Sequence, residues 1–301
     1  MSAVAEAGVP AARRDALQPH ELYDEVAEAA AGVVIRRYST SFGLASRLLG
    51  REVRTHVRNV YALVRVADEI VDAPRPDGDA GVRAHLLDEL HAEVVRAVGV
   101  GHSANLVVHA FARTARTAGI GTDLIGPFFE SMRMDLERVE HDATSFARYV
   151  HGSAEVVGLM CLRIFLLECR DADSRYQRLA PGAARLGAAF QKVNFLRDLA
   201  TDVDDLGRTY FPGLDVETFD VAARDRLLDD IDADLAVAAV AIPQLPASSR
   251  RAVRAAHSLY SELSRRLRRT SPASIRSHRV RVPAPRKAQL VALVLAQGMG
   301  R

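Results

Sequence analysis

The sequence predicts an all-α fold: a single helical domain over residues 19–301, bundled around a central cavity, behind a loose N-terminal tail over residues 1–18. Three observations predict it. Nearly every segment from Glu21 onward carries apolar residues at helical spacing. No alternating strand pattern of useful length occurs. No low-complexity linker or internal repeat divides the 301 residues, a length sufficient for one large core.

The elements follow in order. Leu22, Val26, Ala29 and Val33 begin the first helix, which runs to Tyr38. Val53, Val57, Val60, Tyr61, Val64, Ala67 and Val71 trace one apolar face of a second. Pro74, Pro76 and Gly78 stop it, because proline cannot continue a helix. Helices are expected at about 80–98, 103–118 and 123–138. A long one is expected from Thr144 to about Arg170. Pro181-Gly182 is expected to break the chain before a helix over 183–205. A loop over 207–213 and helices near 221–240, 247–270 and 285–297 complete the bundle. Pro243 and Pro246 mark a helix–helix corner.

Composition excludes several classes. Forty basic against 38 acidic residues leave a formal charge of +2, which gives no sign of nucleic-acid binding. No apolar stretch is long enough to span a membrane, and the N-terminus lacks the apolar core of a signal peptide. A cytoplasmic protein is expected. Cys161 and Cys169, placed on one helix, would stand about 12 Å apart along its axis, too far for a disulfide. Both are expected to be buried thiols. His85, His91, His102, His109 and His151 show no zinc spacing with them.

Two constellations carry chemistry. In VRVADEIVD, Asp68 and Asp72 stand four apart on one helix face. Stacked carboxylates repel, and a divalent cation relieves that repulsion. Mg²⁺ suits them, since it takes one or two carboxylates together with substrate phosphates. A solvated acidic face is the alternative, but the apolar flanks Val64, Val66, Ile70 and Val71 are unusual for one. In QKVNFLRDLATDVDD, Gln191, Asn194, Asp198 and Asp202 form one polar stripe on an otherwise apolar helix, with Arg197 beside it and Arg208 in the following loop. A polar stripe facing a core is costly unless it binds something. Two carboxylate pairs some 130 positions apart suggest opposite walls of one pocket. Carboxylates cannot hold diphosphate directly, but bridging Mg²⁺ with arginines can. Ionisation of an allylic diphosphate is the implied chemistry, with an apolar cavity sheltering the carbocation.

From Tyr38 to Lys287 the chain resembles the squalene/phytoene synthase family. The segments that carry the resemblance are YSTSFGLASRLL, NVYALVRVADEIVD, YVHGSAEVVGLM, NFLRDLATDVDDLGRTYFP, LYSELSRRL and RVRVPAPRK. The resemblance implies the isoprenoid synthase fold, three Mg²⁺ ions (Mn²⁺ as an alternative), and head-to-head coupling of two prenyl diphosphates through a cyclopropyl-carbinyl diphosphate. It implies that Asp68, Asp72, Asp198 and Asp202 hold the metals with help from Asn194. Arg54, Arg197, Arg208 and Tyr260 would contact diphosphate, and Phe42, Tyr61, Tyr149 and Val157 would line the prenyl channels. Tyr61 and Arg197 are counted with the four aspartates as catalytic. Ser41, Arg65, Gln191 and Arg279 complete the substrate-binding set.

The wording of YALVRVADEIVD and GSAEVVGLM is closer to the branch using geranylgeranyl diphosphate than to farnesyl-specific relatives, so no NADPH is expected. A C30 synthase using farnesyl diphosphate is the alternative within the family, and a non-catalytic scaffold or a divergent prenyl-diphosphate enzyme lies outside that chemistry. Glu155 stands where the family commonly has glycine and is expected to face outward. Asp135 in SMRMDLERVE is read as a helix-surface acid, with an acid standing behind the metal ligands as the alternative. Asp204 and Asp205 fall off the Asp198/Asp202 face. The arginines at 265–269, with Arg276, Arg279 and Arg281, can meet diphosphate, anionic lipid or solvent. Because substrate and product are oily, peripheral membrane contact through the apolar C-terminal helix is expected, in a monomer or homodimer.

Overall fold

A computed structural model describes residues 18–38, 45–72, 80–137, 140–204 and 207–297. Ser41 and Phe42 lie outside them. Twelve α-helices are described: α1 (Pro19–Tyr38), α2 (Arg51–Asp72), α3 (Ala80–Val100), α4 (Leu106–Ala118), α5 (Thr122–Glu137), α6 (Ala143–Val150), α7 (Val156–Phe165), α8 (Ala172–Asp204), α9 (Val221–Ala241), α10 (Ala247–Arg269), α11 (Pro272–Ser277) and α12 (Ala284–Gln297). No strand forms among the described residues; one isolated bridge joins Glu140 to Thr209. The all-α expectation is met.

Local chemistry sets many of the boundaries. Asn105 caps α4 by accepting from the backbone N–H groups of Val107 and Val108, and Gly119 closes that helix in the left-handed conformation at φ 65°. Asp142 and Asp220 cap α6 and α9 in the same way. The corner at Pro243 and Pro246 is a short 3₁₀ turn, Ile242–Gln244, between α9 and α10.

Three expectations need correction. The helix expected over 144–170 is broken by a π-helical turn, His151–Glu155, and α7 ends at Phe165. The wider turn changes the register of the buried face. Tyr149 and Val150, before it, join one core cluster, whereas Val156, Met160 and Ile164, after it, join another. Cys169 therefore lies beyond the helix, against Arg175 at 3.3 Å from Sγ, and both thiols are unpaired and only part-buried. Second, Pro181-Gly182 does not end a helix. α8 runs through it for 33 residues. A proline inside a helix costs about 3 kcal/mol. Tertiary packing offsets it here, because α8 lies against α9 so closely that a Cβ on Gly182 would stand 2.4 Å from the Cβ of Ala241. Third, α11 had no counterpart in the sequence reading.

The larger core cluster joins α2, α3, α4, α5 and α7; a second joins α8, α9 and α10. The two halves meet where α7 crosses α8. A Cβ on Gly158 would lie 2.5 Å from the Ala183 carbonyl oxygen, and one on Gly187 would lie 2.4 Å from that of Ala154. Only glycine permits this approach. Two cavities follow one another along α8, the first from Leu179 to Gln191 and the second at Asn194 and Arg197.

Candidate active site

An apolar cavity of about 270 Å³ runs along α8. Val64, Val157, Gly158 and Cys161 form one wall; Leu179, Ala183 and Phe190 face them. Burial pushes the Cys161 thiol up to about 12, so it lines the wall as a neutral group. Gln191 is on this wall, at the end nearest the polar site. Glu155 is not. Its side chain, 15% exposed and therefore not the outward-facing acid expected, pairs with His151 at 2.9 Å and Arg185 at 3.4 Å.

A polar cavity of about 650 Å³ adjoins it, lined by Tyr38, Tyr61, Asn194, Tyr260 and five cations: Arg65, Arg197, Arg279, Arg281 and Lys287. The two cavities meet at a stacked aromatic pair, Phe190 and Tyr260, with centroids 3.8 Å apart. Tyr38 lies on the Arg65 guanidinium at 4.5 Å. Asn194 hydrogen-bonds the Tyr260 hydroxyl, and its Oδ1 is buried without a partner.

The lining arginines hold the motif aspartates. Arg65 lies 3.8 Å from Asp68 and also pairs with Glu69. Asp198 accepts from Arg197 Nε at 2.9 Å and from Arg279 Nη2 at 3.2 Å. From the loop after α8, Arg208 Nη1 donates to Asp72 Oδ1 at 2.7 Å. Burial, and then the neighbouring carboxylates Asp198 and Asp72, push Asp202 up to about 7. Burial and then Asp72 do the same to Asp68. Tyr61 and Arg65 of α2 and Asn194 and Arg197 of α8 line the same cavity, which places the two motif helices on its opposite walls.

Asp135 is a correction. It is 8% exposed, not on the helix surface. It accepts from the Tyr149 hydroxyl at 2.8 Å and the Tyr210 hydroxyl at 3.3 Å, and lies 3.8 Å from Arg208. The sequence held a signal for this. Leu124, Phe128, Ser131 and Asp135 recur at helical spacing, all on the buried face of α5. Tyr149 is a correction too. It lines neither cavity but sits in a buried aromatic cluster with Phe195, Tyr210 and His141, its hydroxyl fixed by Asp135. Arg54 also stands away from both cavities. Its guanidinium donates to the carbonyls of Arg47 and Leu49, at 3.0 and 2.7 Å, and fixes the turn before α2. Tyr61 belongs to the polar cavity and not to the apolar one. Phe190 is a site residue that no motif singled out.

Among the described residues, no three acidic, histidine or cysteine side chains close into a metal cage. The donor set nevertheless fits Mg²⁺. It consists of hard oxygens on two facing helices, Asp68 and Asp72 opposite Asp198 and Asp202, with the orphaned Asn194 Oδ1 beside them. Of these donors only Asn194 lines the polar cavity; Asp68 and Asp198 stand behind its arginines, and substrate phosphates would supply the remaining ligands.

Comparison with known proteins agrees with this geometry. Residues 35–286 match the squalene/phytoene synthase family. The phytoene synthase of Mycobacterium tuberculosis is 27% identical over 284 residues, covering 88% of this chain and 89% of the relative. The 15-cis-phytoene synthase of a Paracoccus species is 28% identical over 264 residues, covering 80% and 82%. A dehydrosqualene synthase crystal structure superposes with a TM-score of 0.75 at 22% identity, covering 94% of this chain and all of the other. The squalene synthase of Alicyclobacillus acidocaldarius gives 0.70 at 22%, covering 82% and 95%. These two likenesses establish the fold.

Proposed function

The chain belongs to the squalene/phytoene synthase family and is a prenyltransferase acting on prenyl diphosphates, and within that family we propose that it joins two geranylgeranyl diphosphates head to head to phytoene, through a cyclopropyl-carbinyl diphosphate. The observation that carries the chain length is the depth of the apolar cavity. Gln191 and Leu179, at its two ends, are twelve residues apart on α8, about 18 Å along the axis. A C–C bond of about 1.5 Å advances a chain by roughly 1.25 Å, so the geranylgeranyl backbone needs about 20 Å and the farnesyl backbone about 15 Å. The farnesyl chain would leave about 3 Å of that depth empty, whereas the geranylgeranyl chain would fill it and extend about 2 Å past Gln191 toward the polar cavity.

The residues divide the work. Arg65, Arg197, Arg279 and Tyr260 bind diphosphate oxygens in the polar cavity. Mg²⁺, with Mn²⁺ as an alternative, would be held by Asp68, Asp72, Asp198, Asp202 and Asn194 and would neutralise the departing diphosphate. The apolar walls exclude water from the carbocation, and the ring faces of Phe190 and Tyr260, at the junction, stabilise it. The second ionisation and rearrangement end in proton loss and consume no NADPH.

The test is direct. Purified protein is incubated with Mg²⁺ and geranylgeranyl or farnesyl diphosphate, with and without NADPH, and the hydrocarbon is extracted. A C40 product without NADPH is expected; a C30 product would move the substrate to farnesyl diphosphate.

Peripheral membrane contact is part of the same reading. α12 exposes Leu293 and Leu295, at 50% and 37%, and its first turns carry Arg286 and Lys287, the latter on the polar cavity wall. None of the described helices is long and apolar enough to cross a membrane. A helix lying on the surface, with cations toward anionic headgroups, would deliver an oily substrate to the site. Sedimentation with anionic liposomes at low salt tests it, and no binding would remove this element.

A further inference from the structure

Asp135 has no role in the reading of the four motif aspartates, yet it is the acid most completely enclosed by the site. It stands on α5 behind Arg208, on the side away from the cavities. Three groups converge on it: the Tyr149 hydroxyl from α6, the Tyr210 hydroxyl from the loop after α8, and Arg208 from the same loop. Arg208 has further ties. Nη1 donates to the Tyr210 hydroxyl at 3.3 Å, Nη2 to the Val71 carbonyl at 3.2 Å, and its backbone N–H to the Asp202 carbonyl at 2.8 Å.

A guanidinium as buried as that of Arg208 needs a carboxylate partner. Its closer one is Asp72, at 2.7 Å, which is 41% exposed and faces Asp202. In the proposed reaction Asp72 is drawn toward cation and diphosphate, and Arg208 would lose that partner as the site fills. Asp135 is fixed by two tyrosine hydroxyls and cannot follow.

We propose that Asp135 is a positioning residue for diphosphate binding: held in place by two tyrosine hydroxyls, it serves as the fixed partner of Arg208 and, through Tyr210, ties the loop that carries Arg208 to α5. Arg208 then keeps its direction while Asp72 changes partner. The inference rests on the reading of Arg208 and Asp72 as diphosphate-end residues.

The probe is inorganic diphosphate with Mg²⁺, titrated calorimetrically into the full chain, alongside turnover of geranylgeranyl diphosphate and thermal melting. For Asp135→Asn we expect diphosphate affinity to fall at least tenfold, KM to rise more than kcat falls, and the melting temperature to stay within a few degrees. Asp135→Asn combined with Arg208→Lys should bind diphosphate no more weakly than Arg208→Lys alone, because both act through one group. Wild-type affinity in Asp135→Asn, or simple additivity in the double variant, would overturn the proposal. If Asp135→Asn melts far below the wild type, Tyr210→Phe replaces it, since it keeps the ring stacked on Phe195 at 4.0 Å and removes only the hydroxyl tie. A threefold or greater loss of diphosphate affinity there supports the role, and none removes it. Diphosphate binding is read without prenyl turnover, so a failure of the proposed reaction is distinguishable from a failure of this inference.

Discussion

Arg208 and Asp72, 136 positions apart in sequence, are joined by a 2.7 Å hydrogen bond that links the loop after α8 to the end of α2. With the bond from the Arg208 backbone N–H to the Asp202 carbonyl, it ties the two acidic motifs together, and the charges of those motifs carry the first predictions.

Asp68→Ala and Asp198→Ala are expected to lower turnover by about 10³ or more, as loss of a transition-state electrostatic group does. Neither should unfold the chain: Asp68→Ala relieves its repulsion with Asp72, and the Arg197 and Arg279 side chains that Asp198→Ala releases line the polar cavity and not the core. Product formation and thermal melting check both halves. An active Asp198→Ala enzyme would remove the metal assignment.

The raised carboxyls predict a pH dependence. Asp68, Asp135 and Asp202 lie near 7 when folded, against about 3.9 for an unfolded aspartate. The folded chain therefore holds protons between about pH 4 and 7 that the unfolded chain has released. Their contribution to the stability of the metal-free protein falls as pH rises through that window. Asp202→Asn should remove part of this loss, so its melting temperature should gain on the wild type between pH 5 and pH 8. Parallel curves for the two proteins would contradict the assignment.

Chain length should respond to the floor of the apolar cavity. Leu179→Phe fills the last turn of its depth. We expect the ratio of C40 to C30 products, from equal geranylgeranyl and farnesyl diphosphate, to fall at least tenfold, with farnesyl use retained. An unchanged ratio would place the chain end elsewhere.

Away from the chemistry, Lys192 pairs with Asp230 at 2.5 Å and with buried Asp234 at 2.8 Å, joining α8 to α9. Burial alone would lower this ammonium, but the two carboxylates raise it. Lys192→Met should destabilise toward the lower end of about 3–5 kcal/mol, the range for breaking a buried pair. Arg185 remains 3.6 Å from Asp234 and limits the loss. Denaturant unfolding measures it.

The periodic parts of the fold were legible because helix spacing is local. The face of α2, the extents of α9 and α10 and the turn at Pro243 all follow from near neighbours in sequence. The facing of Asp68/Asp72 and Asp198/Asp202 was legible because repelling carboxylates on apolar helices have few other uses. Pro181 was misread because its cost is local and its compensation is not: the close approach of Gly182 to Ala241 involves α9, sixty positions on. Tyr149 was misplaced for a similar reason. The π turn after it changes which core the segment faces, and no propensity encodes that.

The sequence by itself determined the helical class, the two acidic motifs and the family. Only the tertiary structure decided that Asp135 is buried behind Arg208, that Arg54 is occupied with a turn, and that Phe190 and Tyr260 mark the junction of the polar and apolar cavities. The physical reason is that charge and periodicity are properties of a segment. Burial and the choice of ion-pair partner are properties of what other segments bring to it.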